Sequence, residues 1–112
     1  MPVETVVDET SVTAYLLGDI DHHNAKALRD GIDNVVETTY PQVLILDFGG
    51  VTFMDSSGIG LVMGRWKLMQ DLGGTVVIEN ASKPIRKVMR MAGIEKLLKT
   101  TERRKISHET DQ

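Results

Sequence analysis

Asp55, Ser56, Ser57 and Gly58 put a carboxylate, two hydroxyls and a glycine where an aliphatic stretch ends and a helical pattern begins. Asp and Ser are preferred at helix starts, because their oxygens accept hydrogen bonds from the free N–H groups of the first turn. We therefore expect at least one of the three polar residues to cap the helix. A hydroxyl is then left over at the positive end of the helix dipole, where a phosphate, carrying roughly 1.5 to 2 negative charges, would be stabilised.

Nucleophilic catalysis by one of these serines is a second chemistry. A nucleophile elbow needs glycine two positions before the serine, but Met54 and Asp55 occupy those positions before Ser56 and Ser57. A base would have to come from one of three histidines, which are His22, His23 and His108. The first two begin a predicted helix and the third lies in a polar tail, so the pattern does not favour a serine hydrolase.

The segment from Asp19 to His23 has residue types that bind metals, and its two aspartates resemble the pair of aspartyl-phosphate phosphatases. The alternative is a solvated helix start in which Asp21 is the N-cap. Successive helical residues point about 100° apart, so His22 and His23 are not expected to face the carboxylates together. The spacing favours the cap over a metal site or a phosphatase built on Asp19 and Asp21.

Hydrophobic periodicity predicts the elements that position these segments. Polar residues of hairpin length separate the first two apolar runs, and the aliphatic run at 43–48 is typical of a strand buried on both faces. Ile94, Leu97 and Leu98 are expected to return to the core. The predicted elements are strands at 4–7, 13–17, 43–48 and 75–79 and helices at about 21–40, 57–72 and 82–92.

Strands that alternate with helices indicate an α/β fold with a mostly parallel sheet, here with an N-terminal hairpin at one edge and helices flanking it. Segments that leave the carboxyl ends of parallel strands meet at one edge of the sheet. We therefore expect Asp21 and Ser56 to be neighbours on one surface.

The helix after the serines contains two interior glycines, Gly60 and Gly64, each of which costs about 1 kcal/mol relative to alanine. The helical period places them opposite the predicted core face, on a strip with Lys67 and Asp71. Their presence suggests close approach either by a partner chain or by another element of the domain. The predicted core face is Ile59, Val62, Met63, Trp66, Met69 and Leu72, and Met89 and Met91 are also expected to fill the core.

Composition narrows the function classes. The chain has 112 residues, no cysteine and a formal net charge of −3. This length predicts one domain over residues 1–112, and the absence of cysteine fits a reducing compartment. The charges do not form the clustered positive field that nucleic-acid binding needs, and the apolar runs are much shorter than a membrane span. We expect a cytoplasmic protein without nucleic-acid or membrane partners.

The strings "GDIDHHNA", "DFGGVTFMDSSGIGLVMGRWKLM" and "GGTVVIENASKPIRKVMRMAGIEKLL" resemble the STAS domain of bacterial anti-sigma factor antagonists. The similarity runs from about residue 12 to residue 98 and is followed by a polar tail at about 100–112. Within the family, "DHH" and "GRWK" resemble the antagonist of forespore sporulation more than its general-stress relative. The family fold is a mixed sheet flanked by helices.

The resemblance implies that Ser56 is phosphorylated by an anti-sigma factor that is also an ATP-dependent serine kinase. The unphosphorylated protein would bind this kinase, with its bound ADP or ATP, and displace the sigma factor. A phosphatase of the PP2C type would remove the phosphate. The protein itself would be a monomer with no cofactor, no metal and no catalytic activity.

The resemblance also implies a docking surface around the switch, with Ser57 or Asp55 as the cap. Its predicted residues are Asp21, Asp55, Ser56, Ser57, Gly58, Gly60 and Gly64. Because other STAS domains serve as constitutive ligand-binding or scaffold modules in stress responses and transporters, a role in which Ser56 only starts a helix stays open at this point.

Overall fold

The computed structural model describes residues 3–101. The predicted polar tail beyond residue 101, including His108, lies outside the described residues. A 3-10 turn at Ile94–Lys96 joins the third helix to the last strand. The elements are β1 (Val3–Val7), β2 (Ser11–Ile20), α1 (Ala25–Thr39), β3 (Val43–Met54), α2 (Ser56–Asp71), β4 (Thr75–Glu79), α3 (Lys83–Met91) and β5 (Lys99–Thr101).

The five strands form one sheet in the order β1-β2-β3-β4-β5. β1 pairs with β2 in antiparallel orientation, and every other pair is parallel. The predicted α/β fold with an N-terminal hairpin at one edge is therefore confirmed. β5 was not predicted, and residues 100 and 101, assigned above to the tail, belong to it. Its polar sequence shows no strand pattern of its own, so its pairing with β4 defines it.

One face of the sheet supplies most of the core. The paired rows 12–44–76 and 14–46–78 of β2, β3 and β4 are buried on one face of the sheet, and of the residues in the adjacent rows only Thr13 and Asp47 are also buried. Each large apolar side chain removed from water there contributes about 1.5–3 kcal/mol. α1 and α2 contact each other and pack near β2 and β3, respectively. The fully buried residues include Val12, Ala14, Leu16, Leu28, Ile32, Val36, Leu44, Leu46, Val62, Met69, Ile78 and Met89.

The two central strands are longer than predicted. Residues 17–20 of β2 pair with residues 50–54 of β3, and we call this two-stranded extension the ribbon. The prediction ended these strands at residues 17 and 48, where the apolar runs stop and glycines follow. Gly18 adopts φ 81°, next to a register shift, and a Cβ at Gly50 would lie 2.7 Å from Cδ2 of Leu17. Gly50 therefore lets the strands approach closely, and Gly18 provides the positive φ beside the register shift, so pairing continues past both.

Three residues predicted to fill the core are exposed. Met91 is 78% exposed, and Leu72 and Leu97 are 40% and 44% exposed. α3 is short and buries only Ile85 and Met89. Met91 lies two residues beyond Met89, which places it on the opposite side of the helix. The prediction for Met91 is therefore wrong.

Candidate functional site

The start of α2 and the residues before α1 leave the sheet side by side. Ile20 and Met54 are register partners at the tip of the ribbon, and the N–H of Asp55 donates to the carbonyl of Ile20 at 3.2 Å. Asp21 and Ser56 each follow this closing pair by one or two residues. The expectation that they share one surface is confirmed.

Asp55 is the N-cap of α2. Its backbone is extended, and its Oδ1 accepts a hydrogen bond of 2.7 Å from the N–H of Ser57. Such a cap contributes about 1 kcal/mol. Ser57 is half-buried, whereas Ser56 is exposed and its hydroxyl has no hydrogen-bond partner within residues 3–101. The expected cap is thus present and uses neither serine hydroxyl, and Ser56 is the more exposed of the two.

Asp21 makes cap-like bonds one turn before α1. Its Oδ1 accepts hydrogen bonds from the N–H groups of His23 and Asn24 at 3.0 and 3.1 Å. Asn24 is the N-cap position of α1, but its side chain donates instead to the carbonyl of Asp19 at 3.0 Å. The prediction of Asp21 as the N-cap is therefore right about the bonds and three residues early, because a turn precedes the helix.

The two histidines stack on each other. Their ring centroids are 3.9 Å apart, at 37°, and both residues are exposed. The expectation that they diverge is wrong, because residues 22–24 form a turn and not helix. Asp19 lies in the ribbon and accepts a hydrogen bond of 2.7 Å from the Thr52 hydroxyl. Over residues 3–101, no three His, Asp or Glu side chains are grouped as metal ligands, and no observation favours the phosphatase.

The three glycines of the predicted docking surface differ in their surroundings. Gly58 is buried, and a Cβ there would overlap the side chain of Met54. Gly58 therefore allows α2 to pack against the end of β3 and adds no exposed surface for docking. A Cβ at Gly60 or Gly64 would meet nothing within 4 Å. Close packing by another element of the domain does not explain these two glycines.

Gly60 and Gly64 line a groove of about 290 Å³ between α1 and α2, which we call the α1–α2 groove. Ser57 lies at its edge, so the groove is continuous with the surface around Ser56. Its lining includes three cationic residues and no acidic one. The cations are Lys26, Arg29 and Arg65.

Sequence reasoning missed the buried ion pair between the two helices. Nε of Arg65 lies 2.9 Å from Oδ1 of Asp33, and the two side chains are 7% and 24% exposed. Burial raises the pKa of Asp33, and the Arg65 guanidinium offsets part of that rise. Burial likewise lowers the pKa of Arg65. Both residues are charged and would be expected at the surface from their type alone. Only the contact between the two helices shows that they pair.

Replacing Asp33 with Asn is expected to change how stability depends on pH. The folded-state pKa of Asp33 lies above the ordinary value of 3.8, so the folded protein binds this proton more tightly than the unfolded chain. The stability that Asp33 contributes is fully present below the ordinary pKa of 3.8 and is lost as the pH rises through the folded-state pKa. The free energy of unfolding of Asp33→Asn minus that of the wild type should therefore increase from pH 3 to pH 7, measured by urea unfolding.

Asp30→Asn is the matched control on the same helix. A hydrogen bond from Lys26 lowers the pKa of Asp30, so the corresponding difference should fall as pH rises through the acid range. A difference for Asp33→Asn that falls with pH would show that the Arg65 pair outweighs burial, and a flat one would show that the two effects cancel; either result contradicts the prediction.

Comparison with known proteins agrees with the fold and identifies the family. The chain belongs to the STAS domain family, which it matches over residues 3–106. A curated relative from Lysinibacillus sphaericus, named anti-sigma F factor antagonist, is 35% identical over 92 residues, which are 82% of this chain and 78% of the relative. Within residues 3–101, no helix has the length and apolar character to cross a membrane.

Two solved structures of one antagonist are similar to the chain at 27% identity. The anti-sigma factor antagonist SpoIIAA in its unphosphorylated form has a TM-score of 0.79, covering 94% of this chain and 90% of that one. The Bacillus cell fate determinant SpoIIAA in the phosphorylated form has a TM-score of 0.72, covering 94% of each chain.

Proposed function

We propose that this protein is an anti-sigma factor antagonist controlled by phosphorylation of Ser56. Unphosphorylated, it binds an anti-sigma factor that is also a serine kinase, with ADP or ATP bound to that kinase, and so releases a sigma factor. Phosphorylation of Ser56 by the kinase ends this binding, and a PP2C-type phosphatase restores it. The protein acts as substrate and competitor in turn.

The observation that carries this proposal is that Asp55 caps α2 and the Ser56 hydroxyl stays exposed. Asp55 accepts the hydrogen bond from the Ser57 N–H, so the Ser56 hydroxyl is not needed to start the helix. It is exposed at the end of the helix that stabilises negative charge. A phosphate can therefore be added there without breaking a hydrogen bond of the fold.

The charge around Ser56 explains why a phosphate would change binding. Asp21 and Asp55 already lie on this surface, and a phosphate would add roughly 1.5 to 2 negative charges beside them. A partner that matches the unphosphorylated surface would then face like-charge repulsion or unmatched charge. The acidic neighbours make the response to phosphorylation larger than a neutral surface would.

The relatives support both the partner and the switch. The relative at 35% identity is named an anti-sigma F factor antagonist, which favours a sporulation sigma factor over a general-stress one. SpoIIAA has been solved in phosphorylated and unphosphorylated forms, so a protein of this fold carries such a modification.

The first test is intact-mass spectrometry after incubation with ATP and the anti-sigma kinase of the same organism. We expect one phosphate on the wild type and on Ser57→Ala, and none on Ser56→Ala. A phosphate lost only in Ser57→Ala would assign the phosphorylation site to Ser57 instead of Ser56. An unmodified wild type would contradict the proposal and favour a constitutive STAS module in which Ser56 only begins a helix.

A further inference from the structure

The lining of the α1–α2 groove carries three cations and no carboxylate, because the acidic residues that pair with them lie outside the lining. Lys26 and Arg29 share one carboxylate, that of Asp30, with Nζ of Lys26 at 2.7 Å from Oδ2 and Nε of Arg29 at 3.3 Å from Oδ1. These side chains are 46–73% exposed. Exposed pairs of this kind are weak, so a better-placed carboxylate can compete with Asp30 for either cation.

The third cation, Arg65, is only partly satisfied. Its side chain is 7% exposed, and its ion pair with Asp33 involves Nε. Its Nη1 is buried and has no hydrogen-bond partner within residues 3–101. A buried guanidinium nitrogen without an acceptor is costly. The inner wall of the groove therefore carries a guanidinium that an added carboxylate nearby would stabilise.

The shape of the groove gives access to these cations. Gly60 and Gly64 leave open space where a side chain would otherwise stand. Two interior glycines lower the stability of a helix, and no atom of residues 3–101 fills the space they leave. Because Ser57 lines the groove, a partner docked over the adjacent Ser56 also covers the groove.

We propose that the α1–α2 groove receives an acidic side chain of the anti-sigma partner, whose carboxylate lies among Lys26, Arg29 and Arg65. This inference rests on the proposed function and adds the chemistry of the partner. The docking surface then has two poles, an acidic one at Asp21 and Asp55 and a basic one in the groove. A partner must present a cation and a carboxylate at matching positions, which fixes its orientation.

The test is a charge reversal with a closely matched control. Lys26 is 73% exposed and pairs with an aspartate four residues later, and Lys67 is 75% exposed and pairs with Asp71 in the same way. Lys67 does not line the groove. Lys26→Glu and Lys67→Glu change the net charge equally, so a difference between them reports the groove and not general electrostatic steering.

Binding of the unphosphorylated protein to the nucleotide-loaded anti-sigma kinase is measured by calorimetry. We expect Lys26→Glu to weaken binding at least tenfold and Lys67→Glu to change it less than twofold. Higher salt should reduce the difference. Gly64→Leu adds bulk without charge at a position with free space, and it should also weaken binding.

The outcomes separate this inference from the proposed function. If Lys26→Glu binds like Lys67→Glu while Ser56→Asp binds weakly, the function stands and the groove proposal is overturned. If Gly64→Leu weakens binding and Lys26→Glu does not, the occupant of the groove is not acidic, and the proposal is likewise overturned. A wild type that does not bind the kinase overturns both.

Discussion

Replacing Ser56 with Asp is expected to weaken binding to the anti-sigma kinase at least tenfold, or about 1.4 kcal/mol. The new carboxylate stands next to Asp55 and on the same surface as Asp21, so it reproduces part of the repulsion that a phosphate would cause. Ser56→Ala should bind like the wild type and resist phosphorylation. Calorimetry on both variants measures the difference.

Ser56→Asn is the control that separates charge from size, because Asn has the shape of Asp and no charge. It should bind within a few-fold of Ser56→Ala. A folding defect would not account for weak binding by Ser56→Asp, since an acidic residue in the first turn of a helix stabilises it by about 0.3–1 kcal/mol. Equal affinities of Ser56→Asp and Ser56→Ala would contradict a switch by charge.

Gly58→Ala is expected to lower the free energy of unfolding by about 1–3 kcal/mol, the usual cost of forcing atoms into a packed interior. The added methyl would overlap Met54, which is itself 5% exposed and has little room to move. Gly60→Ala and Gly64→Ala should each raise the free energy of unfolding by up to about 1 kcal/mol, since alanine favours the helix and meets no neighbour. Urea unfolding of the three variants measures the contrast.

The three glycines are matched in residue type and helix, so they act as controls for one another. A Gly58→Ala variant as stable as Gly60→Ala would mean that the start of α2 shifts freely on the sheet. If Gly60→Ala and Gly64→Ala stabilise the fold and also weaken binding to the kinase, the glycines are kept for docking at the expense of stability.

The order of the elements was predictable because their patterns are local. The continuous aliphatic residues of β3, the helical period of α1 and the glycine after α2 each indicate an element without reference to the rest of the chain. Gly73 adopts φ 82° and follows the end of α2 in the left-handed conformation that glycine favours. The adjacency of Asp21 and Ser56 followed from the topology of a parallel sheet.

Features that depend on contacts between elements were not predictable. The ribbon exists because β2 and β3 pair through residues such as Gly50, which resemble loop residues in isolation. Arg65 and Asp33 carry charges that favour solvent, and only the approach of α2 to α1 buries them together. Gly58 and Gly60 look alike in the sequence, but Gly58 is packed against Met54 and Gly60 faces open space. The path of β3 decides this difference.

The ribbon also separates recognition from folding along the same two strands. Below it, Val12, Ala14 and Leu46 are fully buried, so substitutions there affect the whole domain. Within it, Leu17 and Phe53 are 38% and 53% exposed, and no other strand among residues 3–101 pairs with residues 17–20 or 50–54. The exposed side chains of the ribbon can therefore diverge at little thermodynamic penalty, unlike the buried pair Ile20 and Met54 at its tip, which would let duplicated copies of such a domain acquire separate partners while they keep one scaffold.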